Sequence, residues 1–304
     1  MRAKLLSVLA LGAALAACDG DGELRVTGET GYVRCLAADP PEARSWRVGA
    51  LRLAIEDRTL RIDGAPAEWR LAAFTGPVDA GAVAALRERR PHLAVLVGGA
   101  GGTEAEVSRT LSSLAALGAP VLVVAGGDDR RDLLARAFAG LEGEAKDRVT
   151  HASALRSIRV GPIELVPLAG APEGRYALTN DACGFARADV EALIEAAGAP
   201  NEGVRRYLLS WAAPRGAGAA SLGVASVEAG SPLVAEAQEG ARADGAIFAW
   251  PAEAAGRLQR SPLRVALRPL TGRWISRPDG TRARPGATLL RATREGLVPT
   301  DGSP

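Results

Sequence analysis

The side chains that could carry chemistry in this sequence are few and cluster after short apolar runs. The carboxylate pair Asp128-Asp129 follows Gly126-Gly127 and could serve as a residual cation site or an acid/base pair. A plainer role competes, because carboxylates at a helix start satisfy free amides and favour the positive end of the helix dipole. On that reading the pair caps the helix that follows. Gly98-Gly99-Ala100-Gly101-Gly102 could cradle a phosphate ahead of a helix. As a dinucleotide fingerprint it is incomplete, since Gly99-Ala100-Gly101-Gly102-Thr103-Glu104 lacks the third glycine, and it reads as a tight turn. Trp211 and Trp250 could stack on a sugar or base, or fill core space as large aromatic side chains do. The chain has two histidines, His92 and His151, which excludes a histidine-rich metal centre. His92 precedes its strand, at the wrong end for catalysis, and His151 has no acidic or cysteine neighbour. Ser112 and Ser113 fall within a helical pattern, and no serine sits in a Gly-x-Ser-x-Gly elbow.

The three cysteines speak to compartment. Arg2 and Lys4 precede an apolar run from Leu5 to Ala17, the length of a signal-peptide core and short of the roughly 20 residues of a spanning helix. Leu15-Ala16-Ala17-Cys18 resembles the lipobox of bacterial lipoproteins, in which the cysteine thiol accepts diacylglycerol. Cys18 is therefore expected to be lipidated, anchoring the chain to a membrane of the bacterial cell envelope, on its periplasmic side or at the surface. Cys35 and Cys183 remain as an even pair in an oxidising space, where a disulfide and two separate buried thiols are both open.

Charge narrows the partners. The 37 Lys and Arg nearly balance the 35 Asp and Glu, and the net +2 gives no electrostatic case for nucleic acid or for an anionic membrane surface. The excess belongs to the signal segment, so the chain from Cys18 onward is neutral. The preference for Arg over Lys reads as the codon bias of a high-GC genome.

Positioning these residues requires strands that end where they begin. Asp19 to about Thr30 is rich in Gly and Asp and reads as a tether. Tyr32 to Ile62 alternates apolar and polar residues, with Trp46–Ile55 and Thr59–Ile62 as antiparallel strands about a turn at Glu56-Asp57-Arg58. From Trp69 strands and helices alternate, the mark of an α/β domain. Arg70–Phe74, Leu93–Val97, Val121–Val124, Ile163–Leu168, Tyr207–Trp211 and Ala246–Trp250 read as strands, with Val265–Leu270 and Ala287–Thr293 closing the sheets. Asp79–Arg90, a helix opened by the capping box Thr103-Glu104-Ala105-Glu106, Asp132–Phe138, Ala188–Ala197 and a helix begun by Ser231-Pro232 separate them.

The blocks after these strands resemble the calcineurin-like metallophosphoesterase family. That family reads strand then Asp-x-His, strand then Gly-Asp, strand then Gly-Asn-His-Asp or Glu, later a strand then His, and last Gly-His-x-His, and these side chains hold two metal ions that activate water and clamp a phosphate. Leu93–Gly99 stands at the Gly-Asp block, Val121–Asp129 at the third, Leu208–Pro214 at the late His block and Ile247–Ala252 at the last, so the resemblance spans roughly Trp69 to Val298. The ligands themselves are replaced. Gly76 and Val78 stand at the first Asp and His, Gly99 at the bridging Asp and Gly127 at the Asn. Asp128 takes the place of the His facing the phosphate, Trp211 that of a metal His, and Trp250 and Ala252 those of the last two. Asp129 agrees, at a position that is not a metal ligand.

The resemblance implies an α/β fold, a four-layer α/β/β/α sandwich with an N-terminal β-hairpin extension. The expected organisation is a signal peptide over 1–17, a tether over 18–30, a strand region over 31–68, the metallophosphoesterase-like domain over 69–298 and a tail over 299–304. It further implies a catalytically inactive member without catalytic residues, metal ligands or cofactor. The alternatives are a phosphohydrolase with an altered site holding a divalent metal such as Mn or Zn, and an envelope ligand-binding lipoprotein. The expected partners are the membrane, through Cys18, and a small molecule or protein, with no nucleic acid.

Overall fold

Short apolar runs, each followed by a glycine turn and a capped helix, build two mixed sheets around one continuous core. The computed structural model describes residues 33–34, 41–172, 176–179, 181–216 and 229–300. The signal segment, the tether, Cys18, Cys35 and the residues after Thr300 lie outside the described residues.

One sheet has six strands. Trp69–Phe74 (β5), Leu93–Val97 (β6), Val121–Val124 (β7) and Val149–His151 (β8) run parallel, while Thr288–Thr293 (β19) pairs antiparallel with β5 and Gly296–Pro299 (β20) with β19. Every residue of β6 and β7 is buried, as parallel strands covered on both faces require. Ala80–Glu88 (α1), Glu104–Ala115 (α2), Arg131–Ala139 (α3) and Gly143–Arg148 (α4) connect these strands. The capping box at the start of α2 forms as the sequence predicts: Thr103 Oγ1 accepts from Glu106 N, and Glu106 Oε2 accepts from Thr103 N.

The second sheet has nine strands. Ile163–Leu168 (β10), Arg205–Ala212 (β13), Gly245–Trp250 (β14) and Leu263–Ala266 (β16) form its parallel centre, and Leu258–Arg260 (β15) closes one edge. At the other side Ser157–Val160 (β9) joins Thr59–Asp63 (β4), followed by Leu51–Glu56 (β3) and Arg44–Val48 (β2). The run expected as one strand from Trp46 to Ile55 is thus two. The chain turns at Gly49-Ala50, where Gly49 takes φ +58°, so the hairpin becomes a three-stranded meander continuous with the large sheet.

Alternation along β13 joins the layers. Tyr207 points to the other sheet, where its Oη accepts from Leu297 N at 2.8 Å. Arg206 points the opposite way, bonded to Glu164 Oε2 at 2.8 Å and to the carbonyls of Ala197, Gly198 and Ala241. Those carbonyls end Arg187–Ala197 (α5) and Pro232–Gly240 (α6), so one buried guanidinium caps both helices flanking the large sheet. A small parallel sheet carries Val33–Arg34 (β1), Cys183–Phe185 (β12) and Ala171–Pro172 (β11), with Val33 in register with Cys183. Cys183 is disulfide-bonded. No helix among the described residues is long and apolar enough to cross a membrane.

Candidate functional site

In parallel sheets the loops after the strands share one end, and here those after β5, β6 and β7 meet. Gly76, two residues past β5, donates from its N to Gly98 O at 3.2 Å, and a Cβ on Gly76 would overlap the Gly99 carbonyl. Thr75 Oγ1 donates to the same Gly98 oxygen at 3.3 Å. The loop after β7 packs equally close, since a Cβ on Gly126 would lie 2.8 Å from Gly98 Cα. Only residues without a side chain let three backbones approach this closely.

Trp211, the penultimate residue of β13, lays its indole into the slot these glycines leave. A Cβ on Gly98 would overlap its Cε3 and Cζ3, one on Gly126 would lie 2.5 Å from Cε3, and one on Gly127 would lie 2.8 Å from Nε1. Trp211 is 5% exposed, and its Nε1 donates to Tyr176 O at 3.3 Å. Tyr176 in turn meets Trp250 edge to face, centroids 5.6 Å apart, which places Trp250 one residue outside the slot. Ala252 is exposed and opens a single turn over Ala252–Ala254, and Val78 packs half-buried against the core after a cis Gly76-Pro77 bond.

The two carboxylates tie the glycine loops together. Asp128 Oδ1 accepts from Gly99 N at 3.0 Å, Asp129 Oδ1 from Ala100 N at 2.8 Å, and Asp129 Oδ2 from Gly126 N at 2.8 Å. This corrects the expected helix cap: Arg130 holds that position at the start of α3, and no side chain caps it. Those bonds also occupy the Gly99 and Ala100 amides, which a phosphate cradle would need free. Asp129 is 1% exposed, and burial with the neighbouring Asp128 charge pushes its carboxyl well above the usual carboxylate range. Asp128 is half-buried, and desolvation pushes it up to about 6 against the opposing Gly99 bond.

Gly76, Gly99, Gly127, Asp128, Asp129 and Trp211 thus converge, with Trp250 beside them and Ala252 and Val78 at the rim. Among the described residues no three His, Cys, Asp or Glu side chains group so as to hold a metal ion. His92 Nδ1 accepts from Arg70 N at 3.0 Å at the opposite end of β6, and His151 stacks on Phe138 at 4.7 Å, where burial lowers it to about 4. Tyr176 and Thr75 were not evident as site residues in the sequence. Tyr176 lies outside any periodic element, and Thr75 acts through one hydroxyl whose acceptor is 23 residues away.

The chain matches no protein-family model, and no curated protein matches it. Among solved structures it is similar to TT1561 of Thermus thermophilus, at 14% identity and a TM-score of 0.50, over 76% of this chain and 98% of that chain. A second solved structure aligns at 17% identity and a TM-score of 0.47, over 60% of this chain and 83% of that chain. The likeness to TT1561 shows a shared α/β sandwich fold.

Proposed function

We propose that this chain is a cell-envelope lipoprotein built on a calcineurin-like metallophosphoesterase scaffold that does not catalyse and works by binding a ligand or partner. The observation that carries this reading is the Trp211 indole seated among Gly98, Gly126 and Gly127, where the resembled family places metal ligands. A dinuclear metal centre does not fit these residues. Gly76, Gly99 and Gly127 bring no side-chain donor, and three of the four carboxylate oxygens of Asp128 and Asp129 already accept backbone amides. Divalent cations need several oxygen or nitrogen donors at once. The lipid anchor rests on the Leu15-Ala16-Ala17-Cys18 block. Titration with manganese and zinc alongside phosphodiester hydrolysis tests the absence of catalysis, with neither stoichiometric metal nor turnover expected. Tight metal binding with turnover lost in Asp128→Ala would overturn it. Mass spectrometry of the envelope-extracted chain tests acylation, which Cys18→Ser should abolish.

One observation favours a second reading, an altered hydrolase: the Asp128 carboxyl titrates near 6, within the range of a working acid or base. The same assay separates the two.

A further inference from the structure

Overall neutrality hides an uneven distribution. From Arg257 to Arg294 the chain carries ten arginines and one acidic residue, Asp279. In the middle of this stretch Ile275–Ser276 (β17) pairs with Arg282–Ala283 (β18) as a hairpin beside the candidate site. The chain leading to it is bound to the site rim, with Leu270 N donating to Thr75 O at 2.9 Å and Thr271 Oγ1 to Pro77 O at 3.1 Å. Arg277 fastens the hairpin through two bonds to Ala255 O, at 2.7 and 3.0 Å. Asp279 is already taken, paired with Arg257 at 2.9 Å and accepting from Thr281 Oγ1 at 2.6 Å.

The register assigns the two faces. Ile275 stands opposite Ala283, which is buried, so this pair faces inward and Ser276 and Arg282 face outward. Continued one step, the same register sets Trp274 across from Arg284 on the outer face. Among the described residues Trp274, at 58% exposed, is the most exposed large apolar side chain, and Arg273, Arg282 and Arg284 are exposed without a hydrogen bond or ion pair. An unpaired indole among free guanidiniums suits the headgroup layer of a bilayer, where tryptophan seats its ring and arginine meets lipid phosphate.

We infer that the Trp274 face of this hairpin docks on an anionic phospholipid surface and orients the domain, with the candidate site at its side. The inference rests on the lipid-anchor reading for the proximity of a membrane and on the hairpin alone for its chemistry. Fourteen residues lie between Cys18 and Val33, the start of the first described strand. They span at most about 50 Å, against a radius of gyration of about 18 Å for a domain of this size, so an anchored Cys18 lets the hairpin reach the same surface.

The test uses the mature chain from residue 18 carrying Cys18→Ser, so that no acyl chain contributes, with vesicles of phosphatidylglycerol or of phosphatidylcholine. Cosedimentation with phosphatidylglycerol alone is expected, weakened by salt and accompanied by a blue shift in tryptophan emission that Trp274→Ala removes. Each arginine near an anionic surface contributes about fivefold in partitioning, so the triple variant R273Q/R282Q/R284Q should bind on the order of a hundredfold more weakly. All four side chains are exposed, and circular dichroism checks that the variants stay folded. Binding unchanged in the triple variant, equal binding to both lipids, or no binding would overturn the inference. So would equal affinity for duplex DNA that is indifferent to Trp274→Ala. A failure of the anchor reading would appear separately, as an unacylated Cys18 in the extracted chain.

Discussion

Substituting Gly98 by alanine tests the central contact of the candidate site. Gly98 holds φ +70°, a left-handed conformation that costs an L side chain about 1–2 kcal/mol. Its new methyl would also overlap Cε3 and Cζ3 of Trp211 and lie 2.9 Å from Asp128 Oδ1. Overpacking of a filled core costs about 1–3 kcal/mol, so Gly98→Ala should lose about 2–5 kcal/mol in all. Trp211→Ala, which empties the slot, should lose about 3–5 kcal/mol alone. In the double variant the methyl enters the emptied slot, leaving the backbone cost and removing the overpacking. The double variant should therefore be more stable than the two losses together imply, by about 1–3 kcal/mol. Urea unfolding followed by far-ultraviolet circular dichroism measures all four proteins, with Trp211→Leu as a milder partner if the alanine variant lacks a folded baseline. Additivity to within about 0.5 kcal/mol would mean that Gly98 and Trp211 do not touch, and the description of a glycine slot closed by an indole would be wrong.

Three further outcomes follow from the same geometry. The Asp128 carboxyl titrates near 6 when folded and near 3.8 when free, so the native state holds more protons between these values and its stability falls as pH rises through that window. Asp128→Asn keeps an acceptor for Gly99 N, and melts across this range should show it gaining on the wild type by on the order of 1–3 kcal/mol at pH 7 but not at pH 4; a pH-independent difference would exclude the shift. Glu164→Ala should cost about 3–5 kcal/mol in urea titrations, because it removes the carboxylate that balances the buried Arg206 charge, whose side chain is 1% exposed. Thr103→Ala removes half of the capping box at α2 and should cost about 1 kcal/mol, a loss that Thr103→Ser should largely avoid.

Much of the architecture was legible from local pattern. Leu93–Val97 and Val121–Val124 are continuous apolar runs because both of their faces are covered, and that pattern marks a buried strand whatever surrounds it. Thr103 and Glu106 marked a helix start because capping involves groups three residues apart. The turn at Gly49-Ala50 was less legible, since apolar alternation continues across it and only the backbone angle of Gly49 breaks the strand. The strand-end glycines could be listed from the sequence, and their order along the chain fitted one end of a sheet.

What those residues do there was decided by tertiary structure. Asp128 and Asp129 carry the composition of a helix cap, yet their oxygens bond amides of Gly99, Ala100 and Gly126, two of which lie 29 residues away. Arg206 finds Glu164 across 42 residues and two helix ends besides, a pairing with no local signature. The arginine excess near the C-terminus can be counted in the sequence, but which guanidiniums stay unpaired depends on where the fold puts Asp279 and Ala255. Local sequence determines periodicity, caps and turns because these involve neighbouring groups along the chain. The partners of a buried carboxylate, an indole or a guanidinium depend on which distant backbones the sheets bring within about 3 Å, and only the folded chain decides that.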